Sequence, residues 1–359
     1  MPSSTTLLLT GFPGWFGNRF LELLLTEGGS VFPFVTNWTR IIALVEPSQL
    51  EVARGFTQAL RRREGAPEIE LISLDIGNQE ACDAVRLPIE SCVLVHAAGI
   101  IHPRHPRDFL RVNTQGTQHV LDLAGRHGVE RVVLVSSNSP CGGNPNANHR
   151  FTTTSPYTPY MGYGESKRRA EELTSYWSAL YSIPVTILRP CWFFGPHQPL
   201  RQARFFEMIL AGRVPMVAGG IYLRSITFVD DLCQGVLRAL AQTTTGTHTY
   251  WIALEEPSSF KEIVTTIRDV LQSDFQLSSR SSHIPLPDIA ASVARIGDAA
   301  LQAVGLYHQE LHVLGELGMH IACSVQKSKQ ELGFIPTPSL HEAVRRSLRW
   351  TMDHGQLKR

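Results

Sequence analysis

Short apolar runs alternate along this chain with longer segments whose apolar residues recur every three or four positions. The runs predict β-strands at Thr6–Leu9, Arg40–Val45, Ile69–Leu74, Ser91–Val95, Arg131–Val135, Val185–Leu188 and Thr247–Leu254. Helical spacing follows Gly17, covers residues 112–124 and continues through the segment that carries Tyr163. Strands that alternate with helices predict an α/β fold with a doubly wound parallel sheet of the Rossmann type.

This alternation loosens after Pro190, which indicates a second part of the fold. We expect residues 1–190 to bind a cofactor and residues 191–359 to form mostly a smaller C-terminal substrate-binding subdomain, with 225–254 returning to the Rossmann core. Within the mostly helical pattern of residues 285–317, His308 and His312 lie four positions apart without an evident third ligand. We therefore expect a solvated helix face there and no metal site.

Composition narrows the class of partner. The chain has 359 residues, 43% of them hydrophobic, and its 33 basic and 32 acidic residues are interspersed. This balance favours a small-molecule substrate and gives no reason to expect nucleic acid or an anionic membrane as a partner. Six scattered cysteines without a C-x-x-C pair are typical of reduced thiols, so we expect no disulfides and a cytoplasmic location. No secretion signal is evident, and no apolar run approaches the ~18 residues of a membrane span.

A glycine-rich turn separates the first strand from the first helix. Gly11, Gly14 and Gly17, with Phe12, Trp15 and Phe16 between them, predict a backbone cradle for the pyrophosphate of a dinucleotide. An ordinary strand-to-helix turn is the alternative.

Glu46 ends the second strand, where a carboxylate can accept hydrogen bonds from an adenosine ribose and would repel a 2′-phosphate. This position favours NAD over NADP without excluding NADP. Because Glu46 follows Gly17 by 29 residues, the alignment requires a loop insertion over Gly28–Trp38. An exposed loop glutamate is the alternative.

Tyr163 and Lys167 lie four residues apart, so on a helix they share one face. A nearby ammonium favours the phenolate, and we expect Lys167 to lower the pKa of Tyr163 towards the range useful for proton transfer. The alternative is an incidental pair on an amphipathic helix.

These landmarks, in this order, make the chain resemble the extended short-chain dehydrogenase/reductase family, which includes nucleotide-sugar epimerases, dehydratases and 3β-hydroxysteroid dehydrogenase-like enzymes. The matching motifs are Thr10–Gly17, Asp75-Ile76, His96–Gly99, Val112-Asn113, Val135–Ser137, Tyr163–Lys167, Arg189-Pro190, Gly195-Pro196 and Phe228–Asp231. The resemblance implies that Ser137 hydrogen-bonds the reacting oxygen, Tyr163 exchanges the proton and Lys167 binds the nicotinamide ribose. It also implies that the cofactor contacts Asp75, Ile76, Ala97, Ala98, Gly99, Asn113 and Pro190. Family members commonly form homodimers through two helices, here 112–124 and 166–181.

Departures from the family pattern bear on the substrate. Asn138-Ser139 replaces the Asp-Glu pair of the dehydratases, and Trp192 replaces the asparagine that helps epimerases hold a diphosphate. Arg224 matches one diphosphate-binding arginine, although an ion pair with Asp230 or Asp231 is an equal alternative. Trp192 and Phe193 predict an apolar substrate pocket. The nearby Arg201, Arg204 and Arg213 are compatible with an anionic group on the substrate.

The leading hypothesis is an NAD(P)-dependent oxidoreductase that interconverts a secondary alcohol and a ketone on a largely apolar small molecule. One alternative is a nucleotide-sugar epimerase with tightly bound NAD. Another is a cofactor-binding protein without catalysis.

Overall fold

The structure is a computed structural model that describes residues 6–27, 38–60, 62–89 and 91–357. Its strands are β1 (Thr6–Thr10), β2 (Arg40–Val45), β3 (Glu68–Ser73), β4 (Cys92–His96), β5 (Val129–Val135), β6 (Val185–Pro190), β7 (Trp192–Phe194), β8 (Pro215–Val217), β9 (Leu223–Arg224), β10 (Ile226–Phe228), β11 (Thr247–Ile252), β12 (Ser258–Ser259) and β13 (Ile284–Leu286). Its helices are α1 (Trp15–Glu22), α2 (Leu50–Ala59), α3 (Gln79–Ala84), α4 (Gly116–Arg126), α5 (Met161–Tyr181), α6 (Leu200–Leu210), α7 (Val229–Ala241), α8 (Phe260–Ser273), α9 (Asp288–Ala303), α10 (Gln309–Glu316), α11 (Gln326–Glu331) and α12 (Leu340–Asp353).

Seven parallel strands form the central sheet in the order β11-β6-β5-β4-β1-β2-β3. This arrangement confirms the predicted doubly wound sheet. The strand order reverses between β1 and β4, and in such sheets the crevice at the carboxyl ends of these two strands is the place where ligands bind.

The strands are apolar because helices cover both faces of the sheet. Leu7 and Leu9 of β1 pack into the apolar cluster on one face, while Leu8 packs into the cluster on the other. Strand β2 has the predicted bounds, because its apolar run is continuous from Ile41 to Val45.

A third apolar cluster lies outside the central sheet. It combines side chains from β7, β10, α6, α8 and α12, including Phe194, Phe206, Phe228 and Phe260. Strand β11 nevertheless pairs with β6 at the edge of the central sheet, and α7 packs on α1 through the Arg19–Asp230 ion pair of 2.6 Å. The division at residues 190 and 191 stays a prediction.

One helix begins earlier than its apolar pattern indicated. The segment predicted over 112–124 starts with a π-helical turn at Phe109–Gln115 and continues as α4 to Arg126. Buried Phe109 begins this turn and Asn113 is buried within it, so packing extends the helical segment at its N-terminal end.

Candidate active site

The β1–α1 turn forms a tight cradle at the crevice between β1 and β4. Gly11 has φ +85°, and a Cβ there would lie 2.6 Å from the backbone of Ala97. A Cβ on Gly17 would lie 2.5 Å from the Gly11 carbonyl oxygen. Gly14 precedes α1 and provides no side chain to cap its first N–H groups, so these donors face the turn. A pyrophosphate fits this donor set.

A buried histidine fixes the segment that follows β4. Thr10 Oγ1 accepts from the N–H groups of Ala97 (3.1 Å) and Ala98 (3.0 Å), so its own hydroxyl donates to His96 Nδ1 at 2.7 Å. The other ring nitrogen, Nε2, donates to Thr117 Oγ1 at 2.9 Å. Burial, aided by the charge of Lys167, lowers the pKa of His96 to about 3, and the ring is neutral. Small residues at 97–99 are thereby held against the glycine turn.

Two predicted cofactor residues at the sheet edge already have protein partners. Glu46 follows β2, is exposed and accepts from the backbone N–H of Ser48 at 3.0 Å. Asp75 pairs with Arg111 at 2.9 Å and accepts from the Gly77 N–H at 2.9 Å. Most of the proposed Gly28–Trp38 insertion, residues 28–37, lies outside the described residues.

Ser137, Tyr163 and Lys167 meet at the carboxyl end of β5. Ser137 lies near enough to Tyr163 to act on the pKa of the phenol, and its Oγ accepts from the backbone N–H of Ser139 at 3.2 Å. Lys167 donates from Nζ to the Val135 carbonyl at 3.0 Å. Gly99 closes the other side, since a Cβ there would lie 3.9 Å from Lys167 Nζ. The three side chains therefore border the floor of the predicted cofactor crevice.

The pKa of Tyr163 is shifted in the direction opposite to the expected one. Burial raises the pKa of Tyr163 to about 12, and although the Ser137 hydrogen bond opposes the rise, the Glu316 charge adds to it. Burial also lowers the pKa of Lys167 to about 8, while Glu171 acts to raise it. The expected lowering of the Tyr163 pKa by Lys167 is wrong for this structure: Lys167 is not among the charges that act on the phenol, and desolvation outweighs the Ser137 hydrogen bond and the Arg201 charge, which act to lower it.

Asn113 and Pro190 support the site from behind. Asn113 is buried; its Oδ1 accepts from the Ile100 N–H at 2.7 Å, and its Nδ2 donates to Ser166 Oγ at 2.9 Å. Ser166 Oγ in turn donates to the Tyr163 carbonyl at 2.8 Å. Asn113 thus positions the first turn of α5 relative to the strand ends. Pro190 is buried at the end of β6, and Ile76 is buried beside α4.

The aromatic residues predicted to line the substrate pocket pack mainly on each other. The indole of Trp192 lies 5.2 Å from the Phe205 ring and is stacked on Phe260 at 6.3 Å, within the third apolar cluster. Phe193 makes an edge contact of 5.5 Å with Trp15 at the start of α1. Phe193 therefore lies beside the glycine turn.

Arg224 has neither of the ion pairs considered from the sequence. It is buried and donates from Nη2 to the carbonyl of Glu316, the last residue of α10. Asp230 pairs instead with Arg19, and Asp231 accepts from the Thr337 hydroxyl at 2.6 Å. The ion-pair alternative is wrong because these carboxylates face other elements.

Comparisons with known proteins identify the family of this chain. The model of the NAD dependent epimerase/dehydratase family matches residues 7–253. The chain belongs to this family. The uncharacterised protein y4nL of Sinorhizobium fredii is 37% identical over 98% of this chain and 96% of its own length. A protein of Stigmatella aurantiaca, named 4-hydroxy-2-methyl-3-oxo-4-farnesyl-3,4-dihydroquinoline-1-oxide ketoreductase, is 26% identical over 91% of this chain and 90% of its own.

A solved structure shows the same fold. The dTDP-glucose 4,6-dehydratase DesIV of Streptomyces venezuelae, with NAD and TYD bound, superposes with a TM-score of 0.73 at 24% identity, covering 98% of this chain and 99% of its own. The resemblance to the extended short-chain dehydrogenase/reductase family is confirmed, as are the enzyme class and the NAD-dependent character of the family. The roles of individual residues stay predictions.

Sequence reasoning did not find the aromatic side chains next to Tyr163. The Phe109 ring lies 6.0 Å from Tyr163 and 5.7 Å from Tyr307. Tyr307 Oη hydrogen-bonds His102 Nδ1 at 2.7 Å. Arg201 is exposed and its charge acts on Tyr163, yet no carboxylate among the described residues pairs with it. No short motif links these positions, which are up to 205 residues apart.

His312 is not on a solvated face. Its Nδ1 lies 2.7 Å from Asp298 Oδ2, and both side chains are buried. Asp298 also accepts from Gln302 Nε2 at 2.9 Å, and Gln302 Oε1 accepts from the Gly162 N–H at 3.1 Å, one residue before Tyr163. The prediction of a solvated pair is wrong for His312, because α9 supplies a buried carboxylate. His308 alone is exposed, with its Nδ1 facing the Leu311 N–H.

Two features are absent from the residues that the structure describes. They contain no helix with the length and apolar character needed to cross a membrane. They also contain no cluster of three or more His, Cys, Asp or Glu side chains suited to a metal ion. All six cysteines are buried free thiols.

Proposed function

We propose that this protein is an NAD-dependent oxidoreductase that interconverts a secondary alcohol and a ketone on a largely apolar small molecule. The observation that carries the proposal is that the side chains of Arg224 and Trp192 contact other parts of the protein. Arg224 is buried against the end of α10, and Trp192 fills an aromatic cluster. The family resemblance assigns both positions to diphosphate binding in nucleotide-sugar epimerases, and here both side chains make contacts within the protein.

Ser137, Tyr163 and Lys167 have the chemical roles that such a reaction needs. Tyr163 would take the hydroxyl proton of an alcohol or return it to a ketone oxygen, and Ser137 would donate a hydrogen bond to that oxygen. NAD, when bound, supplies the hydride acceptor. Lys167 would hold the nicotinamide ribose through its ammonium group. The first donors of α1 would bind the pyrophosphate, and the closed floor at residues 97–99 would exclude water.

The contacts around Glu46 favour NAD over NADP. A 2′-phosphate placed at the end of β2 would meet the Glu46 carboxylate. Of the two arginines nearest to Glu46 in the sequence, Arg40 lies at the opposite end of β2 and pairs with Glu70 at 3.0 Å, and Arg54 pairs with Glu51 at 2.6 Å. Neither guanidinium is free to compensate the phosphate.

The Stigmatella relative supports an apolar ketone as the substrate. Its name describes a ketoreductase whose substrate carries a 3-oxo group and a farnesyl chain. Tyr307 and Phe109, next to Tyr163, would provide apolar contacts for a comparable substrate here.

The direct test is cofactor turnover by the purified protein. We expect NADH consumption with apolar ketones, or NADH formation with the corresponding alcohols, and no such activity in the Tyr163→Phe variant. Protein that holds NAD tightly and converts dTDP- or UDP-sugars without net NADH formation would contradict the proposal.

A nucleotide-sugar epimerase is the second candidate, and Arg201 is the observation that favours it. Arg201 is an exposed residue whose charge acts on Tyr163, and its guanidinium could bind an anionic group of the substrate. Under this hypothesis, Arg201→Ala would raise the KM for a nucleotide sugar while leaving turnover of a neutral ketone unchanged. A non-catalytic role is less well supported, because Ser137, Tyr163 and Lys167 meet in one site.

The homodimer and the cytoplasmic location stay predictions. Tyr176, Leu180 and Tyr181 give the C-terminal half of α5 an exposed apolar surface, which supports the dimer.

A further inference from the structure

Helix α9 carries an apolar stripe on its outer face. Ile289, Val293 and Ile296 are 68%, 61% and 72% exposed, and their spacing of four and three residues places them on one side of the helix. Val304 and Leu306 continue the exposed apolar surface directly after the helix. The opposite face is the buried one, with Ala291, Ala294 and Asp298. We call Ile289, Val293, Ile296, Val304 and Leu306 the α9 stripe.

The stripe is larger than isolated surface apolar residues. At a rise of about 1.5 Å per residue, its helical part and the turn that follows extend for roughly 20 Å. Continuous exposed apolar surface of this kind marks a docking site. It consists only of Ile, Val and Leu, without the Trp, Tyr or Arg anchors that dominate protein–protein interfaces.

A basic loop lies at the C-terminal end of the stripe. Residues 101–107 expose Ile101, Arg104, His105 and Arg107, and within the described chain no carboxylate pairs with either arginine. The contact between His102 and Tyr307 ties this loop to the residue that follows Leu306.

Two acidic side chains close to the stripe in the sequence have partners of their own. Glu310 lies 3.4 Å from His308, and Asp288 accepts a hydrogen bond from Tyr222. Aliphatic side chains with cations beside them are the combination that binds the interface of an anionic lipid bilayer.

The position of the surface connects it to the candidate active site. Tyr307 packs against Phe109, which packs against Tyr163. We propose that the α9 stripe and the 101–107 loop dock this protein on anionic membranes, so that a lipid-like substrate reaches Tyr163 from the bilayer. The membrane contact stands on the surface alone, whereas the substrate's route rests on the function proposed above.

Cosedimentation of the full chain with lipid vesicles tests the contact. We expect binding to phosphatidylcholine vesicles that contain phosphatidylglycerol, weaker binding to phosphatidylcholine alone, and loss of binding at high salt. The double variant Ile289→Glu/Ile296→Glu should bind about tenfold less for each side chain removed. Arg104→Ala and Arg107→Ala should each weaken binding to the anionic vesicles about fivefold.

Val52→Glu is the matched control, because Val52 is a 58% exposed apolar residue on a different helix, α2. It should bind vesicles like the unmodified protein, and thermal unfolding should show that all variants fold. Failure of the unmodified protein to bind anionic vesicles, or equal binding by the stripe variants, would overturn the proposal. So would light scattering in which the stripe variants convert a dimer to a monomer, since the stripe would then be an interface between two copies. Turnover of a water-soluble ketone should be unchanged by Ile289→Glu, which separates failure of the membrane contact from failure of the proposed function.

Discussion

Glu171 should be among the most costly single side chains to neutralise in this fold. It is fully buried behind the candidate site and accepts from Arg189 Nη2 at 2.6 Å and Nε at 3.1 Å, as well as from Tyr157 at 2.7 Å. Ser136 also donates to it. Arg189 Nη1 is already buried without a partner in the described structure, so Glu171 is the charge that compensates this guanidinium.

The variant Glu171→Gln keeps the shape of the side chain and removes its charge. The two charge-assisted bonds to Arg189, each worth about 1.5–3 kcal/mol, are lost or weakened, and the amide nitrogen would face other donors. Breaking a buried pair by removing one partner costs about 3–5 kcal/mol, because the other charge stays buried. We expect a loss of that size in the free energy of unfolding.

Urea unfolding at neutral pH measures this loss, with Glu172→Gln as the control. Glu172 is the next residue of α5 and pairs with Arg168 at 2.6 Å on the surface, where such pairs contribute about 0–1 kcal/mol. A cost for Glu171→Gln no larger than that for Glu172→Gln would refute the reasoning. If Glu171→Leu/Arg189→Met recovers most of the lost stability, the cost lies in the unpaired charge and not in packing.

Further predictions concern chemistry and cofactor. Tyr163→Phe should lower turnover by about 10²-fold or more while the NAD dissociation constant, measured by fluorescence titration, stays nearly unchanged. NAD should bind more tightly than NADP, and Glu46→Gln should narrow the difference between the two dissociation constants; tighter NADP binding by the unmodified protein would contradict the role of Glu46. NAD affinity should fall as pH rises through about 8, because the lowered pKa of Lys167 means that its ammonium is lost there. An NAD affinity that does not change between pH 7 and 9 would contradict this.

Strand positions could be predicted because they depend on local pattern. The apolar run of β2 is continuous from Ile41 to Val45, and a run of that kind between turns has few alternatives other than a strand buried on both faces. The glycine turn and the pair of Tyr163 and Lys167 were equally accessible, since each is set by short-range spacing along the chain, whereas Ser137 was implied by the family resemblance.

The substrate side could not be predicted because its contacts join distant parts of the chain. His312 was expected on a solvated face, but Asp298 of the preceding helix buries it. The pKa of Tyr163 depends on how deeply the phenol is buried, and that depth follows from the packing of Phe109 and its neighbours. Sequence spacing contains no information on either quantity.

Arg224 distinguishes the oxidoreductase hypothesis from the epimerase hypothesis, and its contacts predict that replacing it lowers stability more than it affects substrate binding. The guanidinium binds the carbonyl at the end of α10, where a cation also interacts favourably with the helix dipole. Replacing it in Arg224→Leu should therefore release the end of α10 and cost about 1–2 kcal/mol of stability. The KM for an apolar ketone should stay close to that of the unmodified protein, because no described contact directs this side chain to the phenol of Tyr163. Melting temperature and KM measured on the same variant separate the cases. A many-fold rise in the KM for a nucleotide sugar at unchanged melting temperature would show that Arg224 binds diphosphate, and the epimerase would then be the better hypothesis.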